Sequence, residues 1–360
     1  MKEPIRLLDL GPVPPIRSQT IYHAVACAMT AASPDTIILV APTRPYVCIG
    51  YHQDLDREVD LDYCRGRDLP VTRREVGGGA VYLDDGQLFS QWVFHHASLP
   101  ASLEERFSLY IRPLVETYRA LGVPAYHRPV NDIHVEGKKI GGTGAAQIGE
   151  AEVLVGSLMF TFDKRAMARV LKLASEKMRD KVFESLEQYM TTLGEQVQPT
   201  PDRKTVQSLY LGQVAAALGR EIRPGEPTAA ELGLAEQLDE RFVSEAWLHR
   251  TGGRHRAQVK IHQDVQVAEG AFKAPGGLIR VTVRLREGRI DDLALSGDFT
   301  LLPVSAVDEL QAAARDTVLA HAALTARFTE TFRRLAVQSP GVTPEHLAEA
   351  ILAATAASEP

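Results

Sequence analysis

Three consecutive glycines, Gly77, Gly78 and Gly79, stand between the basic pair Arg73-Arg74 and the alternating run Ala80-Val81-Tyr82-Leu83-Asp84. A turn without side chains lets backbone N–H groups approach a ligand closely, and arginines beside it can hold negative charge. The segment therefore reads as a turn between strands that faces something anionic. A plain hairpin turn would use the same glycines.

A second stretch, Asn131-Asp132-Ile133-His134-Val135-Glu136-Gly137-Lys138-Lys139-Ile140-Gly141-Gly142-Thr143-Gly144, reads as a strand, a tight turn at Glu136-Gly137, and a lysine followed by a flexible glycine-rich loop. With Arg73 and Arg74 on one segment and Lys139 on the other, the chain resembles the lipoate-protein ligase family. That family carries an arginine followed by a glycine triplet, Ala-Val and an Asp, and later an Asn-Asp pair followed by Gly-Lys-Lys-Ile. Gly50-Tyr51-His52-Gln53, the spaced Lys177, Lys181, Thr191 and Leu193, and Glu245-Ala246-Trp247 extend the resemblance. Gly276-Gly277-Leu278-Ile279, Gly288-Arg289-Ile290 and Ser296-Gly297-Asp298-Phe299 resemble the small C-terminal accessory domain of two-domain ligases. The resemblance covers about residues 5–330 and is most specific between Arg73 and Gly144.

At 360 residues the chain exceeds one ordinary core. The expected division is a catalytic domain over 1–250, an accessory domain over 251–336 and a helical tail over 337–360. Strands are expected at 36–40, 46–49, 69–74, 80–83, 88–94, 130–135 and 152–162, and helices at 18–31 (capped by Ser18), from the Ser102/Glu105 capping box to about 121, at 164–193 and at 205–218. Strands over 258–267 and 278–285 and helices over 304–324 and 344–354 follow. Runs of strands with segregated helices indicate an α+β fold. The resemblance implies the same: a mixed, mostly antiparallel sheet with flanking helices, biotin/lipoate ligase-like, plus a small α+β accessory domain. Arg250, Arg254, Arg256 and Lys260 around Gly252-Gly253 read as a basic, flexible linker able to hinge and to steer an acidic acceptor.

A net charge of −6 gives no support to a nucleic-acid-coating role. No stretch approaches the ~20 apolar residues of a membrane span, and the N-terminus lacks a signal-peptide pattern. A cytoplasmic monomer is expected. The three cysteines, Cys27, Cys48 and Cys64, fit neither a disulfide framework nor a zinc site, and Cys27 and Cys48 read as buried structural thiols.

Joining a carboxylic acid to an amine requires activation, which ATP can supply through an acyl-adenylate. Charge then develops on the α-phosphate and carboxylate oxygens, so a fixed lysine is the electrostatic device required. Lys139 is the catalytic candidate, as the resemblance also implies; a solvated surface lysine is the plain alternative. Lys138 should face solvent by strand alternation. Asn131, Asp132, Gly141, Gly142 and Thr143 join Lys139 as the nucleotide-binding candidates, and Asp132 is the candidate ligand for Mg2+. An Asn-Asp pair is also common turn chemistry. By the resemblance, Arg74 serves the activated phosphate group, Arg73 is structural, and Gly77, Gly78, Gly79, Val81, Tyr82 and Gln87 contact the acyl substrate. One of Val81 and Tyr82 should face the acyl tunnel and the other the core.

The resemblance thus implies an ATP-dependent ligase acting on lipoate or octanoate, with a lipoyl-domain or glycine-cleavage H-protein-like acceptor. Leu83, Gln87 and Gly141 depart from the usual histidine, asparagine and serine, which bears on substrate chain, acceptor and loop ordering. Two other readings compete. An acyl transferase would need a reactive thiolate, and no cysteine follows Cys64. A non-catalytic acyl-carrier-binding protein would not need Lys139, Asp132 and Arg74 together. A biotin ligase would carry a Gly-Arg-Gly-Arg-type loop, which this sequence lacks.

Overall fold

The structure, a computed structural model, describes residues 3–250 and 265–356. Its strands are β1 (Ile5–Val13), β2 (Thr36–Pro42), β3 (Tyr46–Ile49), β4 (Val71–Arg73), β5 (Val81–Leu83), β6 (Gln87–His95), β7 (Tyr126–Arg128), β8 (Asp132–Val135), β9 (Lys138–Ile148), β10 (Ala151–Met159), β11 (Ile222–Pro224), β12 (Val265–Ala274), β13 (Gly277–Arg286) and β14 (Arg289–Gly297). Two compact units form, and neither is one continuous stretch of chain. The first comprises Met1–Cys48, Val59–Arg73 and Val81–Ser244; the second comprises Ile49–Glu58, Arg74–Ala80 and Glu245–Pro360. The glycine turn thus groups with the C-terminal residues.

In the first unit an eight-stranded sheet runs β11-β1-β2-β6-β10-β9-β8-β7. β1 pairs parallel with β11 and β2, and every other neighbouring pair is antiparallel. The fold is α+β, as the strand and helix pattern predicts. β2 (Thr-Ile-Ile-Leu-Val-Ala-Pro) is buried along its whole length, which is why it reads as a continuous apolar run and not as an alternation. Helix Leu103–Ala120 starts at Ser102, whose hydroxyl accepts the Glu105 N–H at 3.2 Å. Its Tyr110 hydroxyl donates to Ser90 O on β6, and Tyr210 of helix Arg203–Leu218 accepts the Trp92 indole N–H at 3.0 Å. These buried polar tips orient rings whose bodies fill the core.

Several local expectations are corrected. Ser18 does not cap the first helix, which runs Arg17–Cys27; its hydroxyl donates to Pro15 O at 2.6 Å from inside the first turn. Cys27, at the end of that helix, is exposed, whereas Cys48 and Cys64 are buried. The single helix expected over 164–193 is three, Lys164–Val170, Glu176–Tyr189 and Leu193–Gln196, because Asp163, Ser175 and Thr192 each accept a backbone N–H and start a new helix. The stretch after Lys139 is not a loop but part of β9, paired to β8 on one side and to β10 on the other. The helix Ala229–Phe242, opened by a reciprocal capping box between Thr228 and Glu231, was not anticipated.

In the second unit β12, β13 and β14 form an antiparallel sheet. Alternate residues of β13, including Ile279, Val281 and Val283, enter a core shared with Leu310, Phe328, Leu347 and Ile351. Helices Ala306–Ala314, His321–Arg334 and Pro344–Ala356 supply the last four, so the C-terminal helix belongs to this core. It approaches β12 so closely that a Cβ on Gly270 would lie 2.6 Å from Ala354 Cα. The helix expected over 304–324 is two, and most of the strand expected over 258–267 lies outside the described residues, as do Gly252, Gly253, Arg254, Arg256 and Lys260. No helix among the described residues is long and apolar enough to cross a membrane.

Candidate active site

β8 and β9 set the geometry of Lys139. Their register pairs Asp132 with Gly142 and Ile133 with Gly141, then slips so that His134 faces Lys139 and Ile140 has no opposite residue. Such a bulge inserts one residue and re-aims the side chains beyond it. Here it puts Lys139 on the same sheet face as Asp132, His134 and Gly142. The Lys139 ammonium then reaches diagonally to Asp132, with Nζ 2.8 Å from Oδ1. Gly142 makes the passage possible: a Cβ there would lie 3.1 Å from both Cε and Nζ of Lys139. Lys138 is exposed, as alternation predicts.

The strand around this cation is held on every side. The Thr191 N–H donates to Lys139 O at 2.9 Å, and the Tyr118 hydroxyl donates to Ile140 O at 3.3 Å. Thr143 and Asn131 are mutually tied. The Thr143 N–H and hydroxyl both donate to Asn131 O at 2.9 Å, and Asn131 Nδ2 donates back to Thr143 O at 2.6 Å. Lys139 and Asp132 are 38% and 29% exposed, so the pair is accessible while its backbone is fixed.

His134 is a neighbour that the sequence reading passed over. It is buried, and its Nε2 lies 3.9 Å from Asp132 Oδ2. Burial lowers its affinity for a proton, the Asp132 charge acts in the opposite sense, and the net shift is below the ordinary histidine range. The ring therefore stays neutral near pH 7. Its two-residue spacing from Asp132 was the available signal.

Of the other candidates in this unit, Tyr82 is buried, its hydroxyl pushed up to about 12, chiefly by burial and then by the Asp84 charge. Val81 is only partly buried. Gln87 is buried at the start of β6, where its Oε1 accepts from the Ser157 hydroxyl at 3.2 Å. Its amide also faces the Asp84 carboxylate. Arg73 is completely buried.

In the second unit, the glycine turn is packed on both sides by the unit's own backbone. A Cβ on Gly50 would lie 1.9 Å from Gly78 O, and one on Gly77 would lie 2.7 Å from Phe299 O. The Gly78 N–H donates to Phe299 O at 3.4 Å, and Gly78 has φ +92°, a conformation costly for a side chain. Arg74 folds back over the turn, donating from Nη2 to Gly77 O at 2.9 Å and to Gly79 O at 2.8 Å. The glycines thus have a reason to be glycine within the fold itself, which the sequence alone did not reveal.

Among the described residues no group of three or more His, Cys, Asp or Glu side chains is arranged to hold a metal ion. One accessible carboxylate suits a magnesium ion that takes its remaining ligands from phosphates and water. Asp132 fits that mode, with Oδ1 against Lys139.

The family model for the lipoyl protein ligase A/B catalytic domain matches residues 19–215. An octanoyltransferase, LipM, of Kyrpidia tusciae is 28% identical over 68% of this chain and 98% of its own length. The lipoate-protein ligase A subunit 1 of Thermoplasma acidophilum is 29% identical over 56% of this chain and 79% of its own. A solved structure of a bipartite lipoate protein ligase from Thermoplasma acidophilum, studied with its E2 lipoyl domain, superposes with a TM-score of 0.63 at 25% identity. That superposition covers 72% of this chain and 99% of the other.

Proposed function

The chain belongs to the lipoyl protein ligase A/B catalytic-domain family, and from that premise we propose that it activates lipoate, or octanoate, with ATP to the acyl-adenylate and passes the acyl group to a lysine of a lipoyl-domain or H-protein-like acceptor. The observation that carries this reading is the Lys139–Asp132 pair, a cation fixed on a paired strand. A donor that is already positioned stabilises charge in the transition state without reorganising when the reaction occurs.

In the proposed mechanism the substrate carboxylate attacks the α-phosphorus of ATP, the α–β phosphoanhydride bond breaks, and pyrophosphate leaves. Lys139 neutralises the charge on the α-phosphate and on the acyl carbonyl oxygen. The acceptor amine then attacks that carbonyl, AMP departs, and the amine gives up its proton. Asn131 and Thr143 fix the strand beside the nucleotide, with Gly141 and Gly142 giving room along it. A magnesium ion held by Asp132 would offset phosphate charge. Arg74, Gly77, Gly78 and Gly79, with Val81, Tyr82 and Gln87, are assigned to the acyl substrate and its activated group, each as its own proposal.

Two of the three thiols count against a transferase. Cys48 and Cys64 are buried, and burial pushes the Cys64 thiol up to about 11, far from the thiolate an acyl carrier needs. Cys27 is exposed at the end of the first helix. The deciding experiment incubates the protein with ATP, lipoate and an apo-lipoyl domain, reading pyrophosphate release and acceptor mass. Acyl transfer from an octanoylated donor without ATP, and none from lipoate with ATP, would replace the ligase by a transferase.

A further inference from the structure

Within the second unit, one aromatic series runs from the C-terminal segment to the glycine turn. Arg250 lies over Tyr51, 3.9 Å from the ring centroid; Tyr51 meets the His52 ring edge-on at 5.0 Å; and His52 stacks on Phe299 at 4.9 Å and 18°. Phe299 O is the atom that faces Gly77 and accepts from Gly78 N–H. The Gly297 N–H donates to His52 O at 3.0 Å, closing the connection through the backbone as well. Asp298, between them, accepts the Leu278 N–H and so ties the segment to β13.

We propose that Phe299 and His52 are positioning residues for the acyl substrate: their stack holds the glycine turn in its binding conformation, and they act through the turn and not by touching the reacting atoms. A triplet of glycines has more accessible backbone states than any other sequence, so an unbraced turn spends part of its time in conformations that do not bind. Apparent affinity falls in proportion to the competent fraction. Fixing that fraction near one is the role of a packed ring and a carbonyl placed where a Cβ would otherwise be. The inference rests on the assignment of the turn to the acyl substrate.

The experiment measures lipoate and ATP binding by calorimetry, and steady-state kinetics, for Phe299→Ala, Phe299→Tyr, His52→Ala and the double alanine variant, with Gly78→Val as a separate arm. Phe299→Ala is expected to weaken lipoate binding about three- to ten-fold, the range an aromatic pair supplies, and to raise KM for lipoate in step. kcat and ATP affinity should stay within about two-fold under the same argument. Phe299→Tyr should restore lipoate affinity, and the double variant should be no worse than the poorer single one, since one stack is lost in each. If Gly78→Val abolishes lipoate binding while Phe299→Ala and His52→Ala leave it unchanged in folded protein, the positioning role is wrong. If Gly78→Val itself binds lipoate normally, the assignment of the turn is wrong. Should Phe299→Ala fail to fold, His52→Ala and Phe299→Tyr carry the same comparison, and equal loss of lipoate and ATP binding in His52→Ala overturns the proposal.

Discussion

Lys139 reaches Asp132 past Gly142, where a side chain would crowd it: the ion pair spans 2.8 Å, and a Cβ on Gly142 would lie 3.1 Å from the ammonium nitrogen. Lysine, aspartate and glycine are thus one geometric device, created by the register slip at Ile140. The predicted loss on removing the cation is large. Lys139→Ala should lower adenylate formation by about 10²–10³, with circular dichroism and melting temperature unchanged because the side chain is partly exposed. A folded variant with wild-type pyrophosphate release removes Lys139 from the mechanism.

Gly142→Ala tests the same device without deleting any charge. The added methyl meets the flexible end of Lys139, not backbone, so the lysine should give way and the protein should remain stable. The lysine has to give by only a few tenths of an ångström, so adenylation should slow by less than the roughly 100-fold that a displacement of about 1 Å costs. Single-turnover adenylation against thermal stability separates the two effects, and full activity would show that the lysine does not need its place beside Asp132.

Gly50→Ala should behave in the opposite way, harming stability first. Its Cβ would lie 1.9 Å from Gly78 O, a backbone atom that cannot rotate aside. Overpacking of this kind costs about 1–3 kcal/mol. Denaturant titration is the check, and a midpoint unchanged from wild type would mean that the two backbones separate easily.

His23 provides a pH test. Its ring is fully buried beside Phe242, and burial, aided by the Arg241 charge, lowers its pKa to about 3 from 6.5. The unfolded chain therefore binds this proton more readily than the folded one. The neutral ring leaves stability intact above about pH 6.5 and costs about 1.4 kcal/mol for each pH unit below it, down to about pH 3. His23→Leu should flatten that acid limb of the stability curve. An unaltered slope between pH 6 and pH 4 would show that His23 is protonated in the folded state.

Replacing Cys27, Cys48 and Cys64 together by alanine should leave ligase turnover intact in whatever fraction folds, with the stability cost coming from the vacated volume at Cys48 and Cys64. Intact-mass analysis during turnover is the check: an acyl group on any of the three thiols would favour the transferase.

The sheet and the lysine strand were legible because their signals are local: the short, largely apolar runs of β2, β6 and β10, the turn at Glu136-Gly137, and side chains whose chemistry is written in their type. The register slip at Ile140 was not, since it depends on how β8 and β9 meet and not on either sequence alone. The continuation of β9 through Gly141 to Gly144 was hidden for a related reason: glycine is poor in strands by propensity, and pairing to β8 at Gly141 and Gly142, then to β10 at Thr143 and Gly144, overrides it here. The partners of the glycine turn were beyond reach for another reason. Gly77 and Phe299 are far apart in sequence, and no periodicity connects them.

That separation has a consequence for the order in which the protein can be made. Gly78 leaves the ribosome 221 residues before Phe299, taking the difference of their numbers. At about 5–20 residues per second the turn waits roughly ten to forty-five seconds for its carbonyl partner. During that interval the large sheet can form around Lys139 while the triplet, with Gly50 already available on one side, lacks its Phe299 partner on the other. Chains stalled near residue 250 should therefore carry a protected β9 and a protease-sensitive stretch at 74–80, so that only the last hundred residues of synthesis close the turn.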